Sequence, residues 1–454
     1  MESITSNFVY DLPLEHPSAR STTRAWLSLS LASLIAAGIF ALLLVLARTP
    51  FVQEHIPLLD FFHVALVIHV TLSALIWLLS FSAVIWSLGV RDVQPLWDRI
   101  SFLLAASGTA VIAAAPFLGA NQPEMNNYVP VLAHPVFYAG LALFGAGILS
   151  YLVRVLYGRQ PIGHTVDGVT AMRAGSSLSA LITGVAIIAV IASMTDLPAT
   201  MAGTVYFEFL FWGGGHVIQF SYTLLMMIAW VLLADRSGCR LELSPRLTLV
   251  FLIFLALPVI TVPFLYLAHD VASAGHRLAF TELMKYGGLS CLPLGLAVAA
   301  SFLNAARPVG EQRYLRSALF SSIVLFLAGG ILGFMIVGLD IVIPAHYHGA
   351  TVGVSIAFMG LSYYLLPRLG YGPLPPRLTF WQPLLYGGGQ LLHITGLAWT
   401  GGYGVQRKTA GAAQALDRTG EVLGMGLMGI GGLISVIGGV LFLVIAWRSM
   451  WARR

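Results

Sequence analysis

Twelve apolar runs succeed one another along the chain, each about 20 residues or more and so long enough to cross ~30 Å of hydrocarbon as a helix. They centre near Ile35, Ser73, Val111, Leu143, Val185, Tyr222, Pro258, Gly295, Leu325, Ala357, Leu391 and Ile434. No long polar segment interrupts the series. The pattern therefore predicts an all-α, polytopic membrane protein with twelve transmembrane helices, one domain spanning residues 1–454. The two widest gaps, near Gly158 to Asp167 and Gly401 to Leu423, leave room for a short surface helix at most.

Composition agrees. The 454 residues are 58% hydrophobic and 9% charged, against about 25% charged in soluble proteins. The net charge of +5 falls in loops and does not point to nucleic acid. With the N-terminus placed in the cytoplasm, 18 of the 24 basic residues fall on the inner side, Arg91, Arg453 and Arg454 among them, as the positive-inside rule requires. Both termini are then cytoplasmic, in a cell inner membrane. The polar first residues, with Glu2, Asp11, Glu15 and Arg20, do not read as a cleaved signal peptide. The two cysteines, Cys239 and Cys291, stand far apart, and no CxxCH motif is present. Any heme is therefore held non-covalently.

The candidate chemistry lies in histidines within the apolar runs. His346 and His348 open the tenth run. Two residues apart on a helix, they point about 200° away from each other, so they serve two ligands and not one. Imidazole is a common ligand of iron, and the small residues Gly349, Ala350 and Gly353 let a flat group approach. His69, His216 and His269 fall, by residue count, in the same outer half of the membrane, where ionisable residues are functional candidates. His69 is the natural partner of His348 across one heme, with His63 as the alternative. His346 would hold a second heme from one face. His216 follows three glycines in FWGGGHVIQF, which suggests the close approach of something bulky. His216, His269 and Asp270 form a two-histidine, one-carboxylate set. Gln219 could hydrogen-bond into the pocket, and Glu208 could relay protons or pair with a base. Arg277, Glu282 and Lys285 could form an outer ion-pair group. His134 reads as structural. Glu124 and Asp340 sit in outer loops as docking charges.

The order and depth of these residues resemble the catalytic subunit, subunit I, of the heme-copper oxidase superfamily, which includes cytochrome oxidases and nitric oxide reductases. The resemblance spans the chain. It implies low-spin heme ligation by His69 and His348, high-spin heme ligation by His346, and a distal metal on His216. It also makes AHDVASAGHRLAFTELM the stretch after the paired helix-seven histidines. His393 in LLHITGLA looks like the helix-eleven region, and Arg407-Lys408 like the pair that binds heme propionates. The chain departs from the family pattern where two adjacent histidines are replaced by His269-Asp270. It departs again where the oxidase tyrosine positions carry Phe220 and Pro263. No lysine stands at the expected depth of helix eight, and Lys285 lies near its outer end.

These departures set the expectation. A carboxylate in place of an imidazole favours iron over copper. Without the tyrosine, O2 cleavage lacks its in-site donor. The expected protein is a respiratory reductase with two b-type or similar hemes and one non-heme metal, iron favoured. It would reduce nitric oxide to nitrous oxide. Electrons would come from a second subunit carrying cytochrome c or a copper site. The alternatives are an O2-reducing cytochrome c oxidase subunit I, a heme-bearing subunit without a distal metal, and a membrane transporter.

Overall fold

The computed structural model describes residues 8–14, 17–52, 61–90, 94–159, 161–337 and 340–452. Glu2, Glu15, Arg91, Arg453 and Arg454 lie outside the described residues. Eleven described helices are long and apolar enough to cross a membrane: α1 Ala19–Arg48, α2 Phe62–Leu88, α3 Pro95–Leu118, α4 Pro135–Tyr157, α5 Gly168–Asp196, α6 Gly203–Arg236, α7 Pro245–Ala268, α8 Ala274–Ala300, α9 Gln312–Phe334, α10 Val342–Arg368 and α12 Thr419–Trp451. Between the last two runs Pro376–Gly401, α11, less apolar than its neighbours. All twelve predicted runs are thus helical, eleven of them long and apolar enough to cross a membrane.

Local signals place the ends. Proline opens α3, α4, α7 and α11, where a missing N–H costs nothing. Asp167 and Ser244 cap α5 and α7 by accepting from Thr170 N and Leu247 N. His134 caps α4 by accepting from Val136 N, which is the structural role expected for it. The helices differ in depth. The most apolar stretch of α6 is 89% buried and that of α10 78%, against 22% for α8. The two helices carrying His216, His346 and His348 are therefore the axial members of the bundle.

Neighbouring helices meet through small residues, as packing in lipid favours. The closest case matters to the site. A methyl group on Gly329 of α9 would lie 2.2 Å from the backbone nitrogen of Ala350 on α10. That backbone approach carries the Gly329 carbonyl to the ring of His346.

At the end of the bundle where α2, α6 and α10 begin, a two-stranded hairpin forms. Strand β1, Pro123–Glu124, pairs antiparallel with β2, Val131–Leu132. Its tip folds inward over the helix ends. The 411–414 segment adds one short 3-10 turn, in keeping with the size expected of that gap. At the opposite end the N-terminal segment is tied down. The Asp11 carboxylate accepts from both Nη atoms of Arg368 at 3.0 and 3.1 Å, from Tyr364 Oη at 2.9 Å, and pairs with Arg236 at 3.1 Å. Tyr10 is fully buried and bonds the Leu243 carbonyl.

Candidate heme sites and the pocket at His216

Four intramembrane histidines share one device. A ring nitrogen that meets a carbonyl oxygen must be the N–H donor. His69 Nδ1 donates to Ala37 O at 3.0 Å, His346 Nδ1 to Gly329 O at 2.7 Å, and His393 Nδ1 to Met428 O at 3.0 Å. His216 Nδ1 donates to Trp212 O at 2.7 Å, one turn back on its own helix. In each ring the lone pair is left on Nε2. This is how metal-ligating histidines are oriented, because the spent N–H fixes the tautomer. For His69, His346 and His393 the Nε2 has no hydrogen-bond partner among the described residues.

His69 is further marked by its backbone. It precedes a π-helical turn, Thr71–Ile76, and Ser73 Oγ bonds its carbonyl at 2.6 Å. Such wide turns concentrate at functional sites. His348 lies 4.9 Å, ring centre to ring centre, from His393. His393 is thus part of the His348 surroundings. His63 is exposed, and its Nε2 donates to Lys408 O at 3.0 Å, so in this structure it anchors a loop.

One signal was missed in the sequence. The Arg48 guanidinium, at the end of α1, has Nε and Nη2 buried without a partner. It lies within electrostatic range of Tyr347, His348 and His393. A buried unpaired cation requires an explanation, and an anionic edge of a bound group supplies one. The residues present therefore fit hemes at His69 with His348 and at His346. Arg407 and Lys408, the expected propionate pair, meet the hairpin in this structure. Arg407 Nη1 donates to Asn127 Oδ1 at 2.6 Å, and Lys408 Nζ to Met125 O at 2.6 Å. Both hold the tip of the hairpin. Burial, followed by the neighbouring Arg407 charge, pushes the Lys408 amine down to about 8.

The pocket at His216 departs from expectation. The Tyr128 hydroxyl, from the hairpin tip, lies 2.9 Å from His216 Nε2. Since Nδ1 carries the ring proton, the phenol is the donor. Burial holds the Tyr128 phenol protonated, well above its usual range, opposed by the Gln219 side chain that also bonds it. Gln219 stands beside this phenol, and its Nε2 donates to Gly215 O at 3.2 Å. The three glycines are explained by neighbours within the chain. A methyl group on Gly215 would lie 2.2 Å from the Tyr128 ring and one on Gly213 would run into the Tyr266 hydroxyl, while Gly214 faces Val190 and the Ala186 carbonyl on α5.

The set of His216, His269 and Asp270 does not come together. Among the described residues no three His, Cys, Asp or Glu side chains converge so as to hold a metal ion. His216 is ringed by Tyr128, Trp212 and Phe280 at 4.9, 4.8 and 6.1 Å. His269 ends α7 in extended conformation, with its ring against Gly275. Asp270 is exposed, and its carbonyl accepts from Ser273 N in the turn to α8. The physical reason is that α7 ends at Ala268, so His269 and Asp270 fall in the turn to α8 and not on a helical face. A different histidine was missed. His276 is fully buried and both its ring nitrogens are unpartnered. Its ring meets Tyr266 edge-on at 5.0 Å and packs tilted against Phe280 at 4.7 Å.

Glu208 pairs with a base as anticipated. It lies 3.9 Å from Arg277 and accepts from the backbone and side chain of Asn127. Arg277 rests on the Trp212 ring at 4.6 Å. The expected grouping of Arg277, Glu282 and Lys285 is corrected accordingly: Arg277 faces Glu208, and Lys285 lies over Tyr286 and Phe334. Glu124 accepts from Thr204 and Asp340 from Val342 N, so both have local partners.

Three comparisons bear on this arrangement. Residues 21–441 match the family described as Cytochrome C and Quinol oxidase polypeptide I. An uncharacterized protein of Rickettsia prowazekii is 32% identical, covering 95% of this chain and 96% of its own. Cytochrome c oxidase subunit 1 of Thermus thermophilus is 26% identical, covering 79% of this chain and 71% of its own. A solved heme-copper terminal oxidase dimer superposes with a TM-score of 0.74 at 16% identity, over 97% of this chain and 85% of that one, which establishes the shared fold. With the family pattern matched across nearly all of its twelve helices, the chain belongs to the heme-copper oxidase family as a polypeptide I, an oxidoreductase of the membrane.

Proposed function

We propose that the chain carries two hemes and reduces a small gas with electrons delivered by a partner. His69 and His348 would hold one heme from both sides, and His346 the other from one side. The observation that carries this reading is the shared histidine device: Nδ1 of His69 and of His346 donates to a carbonyl, which leaves each Nε2 as a bare donor atom. A heme with two imidazoles passes electrons, whereas one with a single imidazole keeps an open face for a diatomic gas. Because His346 and His348 stand on one helix, electrons need travel only across α10.

The rest follows from this chain's own side chains. Arg48 would neutralise an anionic edge near His348. The Tyr128 phenol holds a proton beside His216. Asn127 joins Glu208 to Arg407, giving a polar path from the pocket to the loops at that end. In the proposed orientation that end faces outward in the inner membrane, where a cytochrome c-type or copper-bearing subunit would dock.

The favoured gas is nitric oxide, converted with two electrons and two protons per pair of NO to nitrous oxide and water. Phe220, fully buried on α6 against Gly287, supports it, since that helix offers no phenol where the oxidase resemblance expects one. Ligand hardness does not bear on the choice of gas, because the carboxylate set does not assemble. Tyr128 favours a second reading, O2 reduction, since it supplies a phenol from another element. Purified protein given a reduced cytochrome c-type donor decides between them. Nitrous oxide formation without O2 uptake is the expected result. O2 uptake without nitrous oxide would establish the second reading.

A further inference from the structure

We infer that the pocket at His216 is built as a phenol–imidazole pair, Tyr128–His216, and not as a second metal site. The atom a metal would take is His216 Nε2, and it accepts the Tyr128 hydroxyl at 2.9 Å. The other nitrogen is spent on Trp212 O at 2.7 Å. The pair is built in and not incidental. Gly215 has no side chain where the Tyr128 ring lies, and any Cβ there would fall 2.2 Å from it. The Tyr128 loop is fixed on both sides. Asn126 Oδ1 accepts from the backbone nitrogens of Tyr128 and Val129 at 3.0 and 2.9 Å. Asn127 is held by Glu208 and Arg407.

Among the described residues no second set of donors replaces the one that fails to form. His276 is the nearest candidate, with both nitrogens unpartnered. The Phe280 ring packs against both histidines, at 4.7 Å from His276 and 6.1 Å from His216. His269 ends α7 with its ring against Gly275, and Asp270 is exposed. A lone imidazole that already accepts a hydrogen bond is a poor metal site, because divalent metals at protein sites take three or more protein donors. What the pair provides is a neutral proton donor of fixed orientation. The phenol keeps its proton because it is buried and its acceptor is a bare ring nitrogen.

The test is metal content measured against heme on the purified, heme-loaded chain. It does not depend on which gas is reduced, so it can fail while the proposed activity stands, and the reverse. The expected result is one iron per heme with neither iron nor copper in excess. The oxidised protein should show an uncoupled high-spin ferric signal in electron paramagnetic resonance. Excess metal that disappears in His216→Ala, at unchanged heme content, would overturn the inference. Excess that survives His216→Ala lies elsewhere and leaves the pair intact. Tyr128→Phe keeps the ring that Gly215 accommodates and removes only the hydroxyl. It should retain both hemes and alter the ring-proton chemical shift of His216 in labelled protein. An unchanged shift would show that the hydrogen bond is absent, and the inference would fall.

Discussion

At the scale of single residues, the account rests on which nitrogen of each histidine is free. The Gly329 carbonyl holds His346, and it is there only because α9 and α10 touch backbone to backbone. Gly329→Ala would force the helices apart. We expect a loss of about 1–3 kcal/mol, typical of overpacking, together with a weakened hold on the high-spin heme. Thermal unfolding and heme retention of the variant measure both, and a normal Tm with full heme would refute the role given to this contact. Gly215→Ala is the companion case on α6. Its methyl group must displace the Tyr128 ring, so the Tyr128–His216 bond should be lost while the His69 and His346 sites remain. An unaltered His216 ring signal would contradict this.

Some of these residues were legible in the sequence and others were not. His69, His346 and His348 stood out because they interrupt apolar runs at a common depth, a periodic signal that survives in one dimension. His216, His269 and Asp270 are grouped by type, order and an approximate depth counted along the chain, none of which fixes where a side chain points. The turn after Ala268, which takes His269 out of the helix and Asp270 to the surface, is a matter of one residue and no pattern predicts it. Tyr128 lies in a loop more than 80 positions from its partner. A hairpin of two residues per strand leaves no alternation to read. Arg48 ends its apolar run, where position alone reads as a loop cation; only packing shows that its guanidinium is enclosed.

At the scale of elements, the hairpin tip does more than close a loop. It receives Arg407 and Lys408 and hands Tyr128 to α6. Lys408 makes this measurable. Its amine titrates near 8, below the ordinary lysine value, so burial favours the neutral form. A bound anionic carboxylate beside it would favour the charged form. Heme uptake then takes up a proton wherever the free protein holds Lys408 neutral, and affinity falls as pH rises above about 8. Heme titrations at about pH 7 and about pH 9.5 should show weaker binding at the higher value, and Lys408→Met should flatten the difference. A pH-independent affinity in the wild type would place the acidic edge of the heme elsewhere. At the opposite end, the N-terminal segment is clamped by Asp11. Asp11→Asn removes charge-assisted bonds to Arg368 and Arg236, each worth roughly 1.5–3 kcal/mol before solvent screening of these half-exposed partners. A clear fall in Tm, smaller at high salt, is expected. No change would mean that the strap is incidental.

At the scale of the whole molecule, the fold was readable because lipid allows few solutions. Each spanning segment must satisfy its own backbone, so hydropathy alone returned all twelve helices. The central place of α6 and α10, seen in their burial, and the mutual arrangement of the helices were not readable, because small-residue contacts set them and glycines occur on nearly every helix. The central claim is that this bundle holds two hemes, one through His69 and His348 and the other through His346. The reduced-minus-oxidised absorption spectrum of the purified chain tests it most directly. Two distinct heme components are predicted in the wild type, with His69→Ala or His348→Ala removing the low-spin one and His346→Ala the high-spin one. A chain without heme, or a low-spin component that persists in both His69→Ala and His348→Ala, would contradict it.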